Sequence, residues 1–156
     1  MSSSNALISA PGLTEDQIQT ERAWLEGYGK DVDSLDWSKW EKYWDQDAFL
    51  QIANSPRVHG KGAIETFYRE TFINVSEYVR HDYTRYSFDL PLGLIYMSAT
   101  VSFRVKGDPK GRTIQVSVIG VIHKRPGELV ATGGEIYFDN SPIVAVIQEV
   151  LKEKAV

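Results

Sequence analysis

Four long segments between Val79 and Phe138 constrain the fold more than any other part of the chain. Val79 to Leu90, Leu94 to Lys106, Thr113 to Lys124 and Leu129 to Phe138 are rich in β-branched and aromatic residues. Side chains of that shape fit a pleated, half-buried surface. The breaks between them are Pro91-Leu92-Gly93, Gly107-Asp108-Pro109-Lys110-Gly111 and Arg125-Pro126-Gly127-Glu128. Pro and Gly in such clusters make turns, so the spacing predicts long antiparallel hairpins. Helical patterns come before these strands, and helices followed by strands is the order of an α+β domain whose helices cover one face of a curved sheet.

Thr14 with Gln17 three positions later has the form of a capping box, which predicts a helix start. Ile18, Leu25 and Val32 then lie on one stripe, with Trp24 and Tyr28 beside it. Gly27 and Gly29 weaken that helix by up to about 1 kcal/mol each, so they predict either close packing or an early end. Asp36 is placed to cap a second helix carrying Trp37, Trp40 and Trp44 as core indoles. Phe49, Gln51 and Ala53 alternate with Leu50 and Ile52 as a strand, closed by Asn54, Ser55 and Pro56. A third helix is expected from Lys61, with Ile64, Phe67, Tyr68 and Phe72 on one side, and a last one over Ile143 to Leu151.

Composition narrows the classes. With 156 residues, 42% of them hydrophobic, the chain has material for one core. A single domain over residues 13–156 is expected, preceded by a flexible arm over 1–12 that lacks the basic and apolar regions of a secretory signal. A net charge of −4 argues against a nucleic-acid partner, which needs a basic face to displace counterions. No stretch approaches the roughly 18 apolar residues of a membrane span, so the expectation is a soluble, cytoplasmic protein without a membrane partner. There is no Cys, hence no disulfide and no thiol nucleophile. His59, His81 and His123 sit in separate predicted elements without the close spacing of zinc ligands, so no metal is expected. No Gly-rich phosphate loop or nucleophile elbow occurs, and Gly133-Gly134 reads as a strand bulge. No cofactor is expected.

Four short stretches in order, YGKDVDSLDW from Tyr28, DAFL from Asp47, GKGAI from Gly60 and IYFD from Ile136, resemble the SnoaL-like branch of the nuclear transport factor 2-like superfamily. That group holds scytalone dehydratase, ketosteroid isomerase and small polyketide cyclases. The resemblance implies a cone-shaped α+β barrel, with helices packed on a curved antiparallel or mixed sheet enclosing a pocket. It places Tyr28 where the isomerases carry a tyrosine that donates to the substrate oxygen. Their general-base position falls near Ile52 and their second donor near Ile119. Asp33 and His81 fall where the dehydratase and many SnoaL-like proteins carry a pocket aspartate and histidine, and Ser117 falls near a pocket serine.

The site expected on this basis has His81 as acid/base, Asp33 as its orienter and Tyr28 as hydrogen-bond donor. Trp24, Trp40, Phe49 and Ile52 are expected to contact substrate. So are Phe67, Ser117, Ile119 and Tyr137. An imidazole held by a carboxylate accepts and returns a proton near neutral pH, and a phenol stabilises an enolate, which suffices for enolisation, ring closure or loss of water. The expected function is therefore a cofactor-independent lyase or isomerase acting on a small hydrophobic carbonyl compound, such as a polyketide or terpenoid intermediate of secondary metabolism.

Plainer readings stand beside it. Asp33 lies among Asp31, Ser34 and Asp36, where carboxylates cap helices, and Tyr28 suits a core as well as a site. Asp139 is either an acid or a turn cap, and Glu135 shares a strand face with Tyr137. The same fold also serves as a non-catalytic binding or dimerisation module, and an epoxide hydrolase would need two carboxylates bridged by an arginine such as Arg85 or Arg104. A sheet-to-sheet homodimer is expected because an apolar outer sheet face needs cover.

Overall fold

The computed structural model describes residues 5–156. Its centre is a mixed seven-stranded sheet in the order β1-β4-β5-β6-β7-β2-β3. The strands are β1 (Leu7–Ser9), β2 (Trp44–Ile52), β3 (Val58–His59), β4 (Ser76–Asp89), β5 (Leu94–Val105), β6 (Ile114–His123) and β7 (Ala131–Tyr137). The four long runs pair antiparallel as their turns predict, while β1 joins β4 and β2 joins β7 in parallel. The expected barrel is corrected in one respect: β1 and β3 end the sheet and do not pair with each other. Helices supply the rest of the wall. Of the expected N-terminal arm, residues 1–4 lie outside the described residues. Residues 7–9 are a strand rather than an arm, because their backbone hydrogen-bonds along the edge of β4.

The helices are α1 (Glu15–Asp33), α2 (Trp37–Trp40), α3 (Lys61–Tyr68) and α4 (Ser141–Lys154). The capping box is formed, with Thr14 accepting from the Gln17 amide and the Gln17 side chain returning to Thr14. Both glycines lie inside α1, so of their two readings close packing is the one observed. A Cβ at Gly29 would sit 2.6 Å from Tyr83 Cε2. Trp37 and Trp40 lie on α2, but Trp44 is the first residue of β2 and not part of that helix, since a 3-10 turn over Glu41–Tyr43 intervenes. All three indoles are buried, joined by edge-on contacts of 6.1 Å between Trp37 and Trp40 and 5.2 Å between Trp40 and Trp44. After Tyr68 the third helix widens into a π-helix over Arg69–Ile73, which brings Phe72 back toward the core.

Two irregularities aim the site. In β4 the pairing passes from Tyr83↔Ala99 to Arg85↔Ser98, leaving Thr84 as an extra residue. That bulge resets the alternation, so His81, Tyr83, Tyr86 and Phe88 all oppose β5 residues of the helix-covered face. In β2 the register jumps between Trp44 and Phe49, so the irregularity expected at Gly133-Gly134 lies in the neighbouring strand instead. The glycines have another cause: a Cβ on Gly133 would fall on the Phe49 ring. Gly133→Ala is therefore expected to cost about 1–3 kcal/mol, the range for overpacking. Urea unfolding reads this directly, and an unchanged midpoint would show that Phe49 is free to move aside.

Candidate active site

Asp33 is the last residue of α1, and its carboxylate reaches across to β4. The His81 backbone N–H donates to Asp33 Oδ2 at 2.9 Å, and His81 Nδ1 lies 2.5 Å from Asp33 Oδ1. Asp33 thus holds both the strand and the ring, and the capping role belongs to Asp36, which accepts from the Ser38 amide. Fixing Nδ1 in this way leaves Nε2 as the nitrogen available to exchange a proton. Among the described residues Nε2 has no hydrogen-bond partner.

His81 borders a small apolar cavity of about 40 Å³ inside the cone. Tyr28 and Trp40 enter it from the helices, with Phe67 and Phe72 beside them, and Ile52, Met97 and Val118 enter from the sheet. Burial, and then the neighbouring Tyr68, push the Tyr28 phenol well above its usual range, so it stays protonated and able to donate. Tyr83 was not singled out by sequence, yet it borders the cavity and stacks on His81 with ring centroids 5.6 Å apart. Its only sequence signal was its place two residues after His81 on a strand.

Of the expected substrate contacts, Trp40, Ile52 and Phe67 do line the cavity. Phe49, Ser117, Ile119 and Tyr137 do not, because Leu50, Ile52, Val118, Gly120 and Ile136 take the inward positions and alternation turns their neighbours outward. A one-residue difference in strand phase moves a side chain to the other face. Trp24 is also excluded, since its indole N–H donates to the Leu129 carbonyl at 2.8 Å.

The outer face carries a second histidine pair. His123 Nε2 lies 2.6 Å from Glu135 Oε2, and the Tyr137 hydroxyl donates to Glu135 Oε1 at 2.8 Å. Glu135 therefore faces away from the cavity, and His123, the last residue of β6, is engaged by it. His123 first, and then Tyr137, hold the Glu135 carboxyl below its ordinary 4.5, against the opposing effect of burial. A lowered carboxylate pKa stabilises the fold fully above that ordinary value, and the gain is lost as pH falls through the folded one. The stability difference between the native chain and Glu135→Gln should therefore shrink as urea titrations are taken below about pH 4.5. A difference independent of pH in that window would contradict it.

Asp139 accepts from the Ser141 amide at 3.0 Å at the start of α4, which is its turn-capping reading. Arg85 donates to Ser98 and Arg104 to Thr113, so neither bridges two carboxylates. Among the described residues no group of three or more acidic or His side chains is placed to hold a metal ion, and no helix is long and apolar enough to cross a membrane.

No protein-family model and no curated protein matches the sequence. Solved structures do match. A protein of Xanthomonas campestris pv. campestris assigned as a polyketide cyclase superimposes with a TM-score of 0.67 at 15% identity, over 84% of this chain and 98% of its own. A structure from Shewanella denitrificans described as a SnoaL-like polyketide cyclase matches equally, with a TM-score of 0.67 at 16% identity over 83% of this chain and 98% of its own. The chain has the SnoaL-like fold. PrhC of Penicillium brasilianum shares it with a TM-score of 0.73 at 9% identity, over 89% and 93% of the two chains. An epoxide hydrolase of M. tuberculosis gives 0.61 at 15%, over 85% and 92%. The SnoaL-like cone is thus common to proteins described as cyclases and as a hydrolase, and at these identities the likeness concerns the fold.

Proposed function

We propose that this SnoaL-like chain is a cofactor-independent lyase or isomerase that dehydrates, isomerises or cyclises a small hydrophobic carbonyl compound of the polyketide or terpenoid kind. One observation carries the reading: the Asp33 carboxylate, 20% exposed, holds His81 Nδ1 at 2.5 Å while His81 borders an apolar cavity. In that reading His81 Nε2 removes a proton α to the substrate carbonyl, Tyr28 donates to the oxygen on which negative charge develops, and His81 returns the proton to the leaving or rearranging atom. Asp33 stabilises the imidazolium formed in between. A binding module would need only the hollow, whereas one carboxylate that fixes both the His81 backbone N–H and its ring Nδ1 suits proton transfer.

The test is a substrate screen with cyclic β-hydroxy ketones and β-diketones in D₂O, following deuterium incorporation α to the carbonyl by NMR. Exchange that requires both His81 and Tyr28 supports the reading. Exchange indifferent to His81→Ala, with a compound bound in the cavity, would return the chain to the class of binding modules.

The outer sheet face fits self-association. Tyr96, Ile119 and Tyr137 are exposed by 41%, 45% and 43%, and Ile119 pairs directly with Tyr137 across β6 and β7. Two copies meeting there would cover this apolar row. Ile119→Glu is expected to convert a dimer into a monomer in sedimentation equilibrium; a native chain already monomeric at high concentration would remove the proposal.

A further inference from the structure

The apolar cavity is too small for the proposed substrate. Its 40 Å³ accommodates roughly three water molecules, whereas small-molecule sites run to about 300–1,000 Å³. Outside it, between α1 and β4, lies an open groove of about 800 Å³ bordered by Glu26, Lys30, Asp33, Tyr78 and Arg80. Cavity and groove have two bordering residues in common, His81 and Tyr83. The wall between them is therefore made of the proposed acid/base and one phenol.

That wall has no strand ladder across it. β1 pairs with β4 only over Arg85–Ser87, so the edge of β4 before it meets α1 through side chains and not through a strand ladder. Asp33 on His81 closes one part, and the Tyr83 ring lying against Gly29 closes the other. Tyr83 is held by stacking, with His81 on one side and Tyr86 at 5.5 Å on the other. Its hydroxyl has no hydrogen-bond partner among the described residues. Swinging it out breaks these two stacking contacts and uncovers a ring now 8% exposed, a loss that an apolar ligand taking its place offsets by burying its own surface. Beyond it, the Asp33 carboxylate is occupied by His81 and the Arg80 guanidinium by Asp82 at 2.9 Å. Glu26 and Lys30, one helical turn apart, make no ion pair among the described residues.

We propose that cavity and groove are two ends of one substrate site, joined when the Tyr83 ring swings aside. The site takes an elongated carbonyl compound whose apolar end enters the cone and whose polar, oxygen-bearing end stays in the groove beside Lys30. This rests on the reading of His81 as the acid/base, since it puts the reacting carbonyl at the junction. It also makes Tyr83 a positioning residue, which stacks the imidazole when the site is empty and gives way when it is filled.

The probe is 2-naphthoate, a flat apolar bicycle with one carboxylate. In the unmodified protein its binding should shift the methyl signals of Met97 and Ala99 in the cone together with the amides of Gly29 and Lys30 on the groove. Tyr83→Ala should tighten binding at least threefold or accelerate association to the same degree, by about the strength of a stacking contact. Lys30→Glu should weaken it roughly three- to fivefold, the value of an exposed ion pair. Shifts confined to one compartment would overturn the proposal, as would affinity and association rate both unmoved by Tyr83→Ala. So would absence of binding up to about 5 mM. Since an inert probe is being bound, the result is independent of whether His81 transfers a proton.

Discussion

His81→Ala is expected to leave a folded protein whose turnover is lower by at least about 10²-fold, the low end of what a positioned acid/base contributes. The fold should survive because Asp33 keeps its hydrogen bond from the residue-81 backbone N–H, which the substitution does not touch. Only the ring goes, and with it Nε2. Asp33→Asn provides the complementary result. An amide in that position loses the charge that stabilises an imidazolium, so kcat should fall while KM stays nearly unchanged, the pattern of an interaction made in the transition state. Equal turnover by His81→Ala and the native chain on the same substrate would remove His81 from the mechanism, and circular dichroism of both variants separates that outcome from unfolding.

The largest stability effect should come from a pair far from any chemistry. Glu21 and Lys124 are buried to 2% exposure each, and Lys124 Nζ lies 2.5 Å from Glu21 Oε2. Glu21 Oε1 accepts from the Gly127 amide at 2.7 Å, and Lys124 Nζ also sits 4.9 Å over the Trp24 ring. The pair therefore ties α1 to the turn after β6. Glu21→Leu strands an ammonium in the interior and should cost about 3–5 kcal/mol, whereas the double change Glu21→Leu with Lys124→Met should recover most of that, because no uncompensated charge is left. Denaturant titration of the three variants decides it. A single substitution costing less than about 1 kcal/mol would mean that Lys124 escapes to water, as a long aliphatic stem permits.

Much of this architecture was legible in the chain. The capping box at Thr14, the four strand runs and the turns between them are local features, set by residues within a few positions of one another. Asp33 and His81 were also marked, through their resemblance to a known pattern; their 48-residue separation offers no local sign that they meet. The lining was legible only in part. The resemblance puts Ser117 and Ile119 at the pocket, yet Val118 and Gly120 occupy it, and Phe49 and Tyr137 face outward for the same reason of strand phase. Tyr83 was overlooked because a tyrosine in a β run ordinarily signals nothing beyond packing.

By itself the sequence determined the type and order of the main elements, that the long helix precedes a largely antiparallel sheet, and which residue types were present for proton chemistry. Only the tertiary structure decided which side of each strand faces the cone, that the sheet stays open, that Gly29 leaves room for Tyr83, and that two hollows meet at His81. Local propensity acts over a few residues and is written in their order. Facing, by contrast, depends on register and on bulges such as the one at Thr84, which are fixed by pairing with strands distant in sequence.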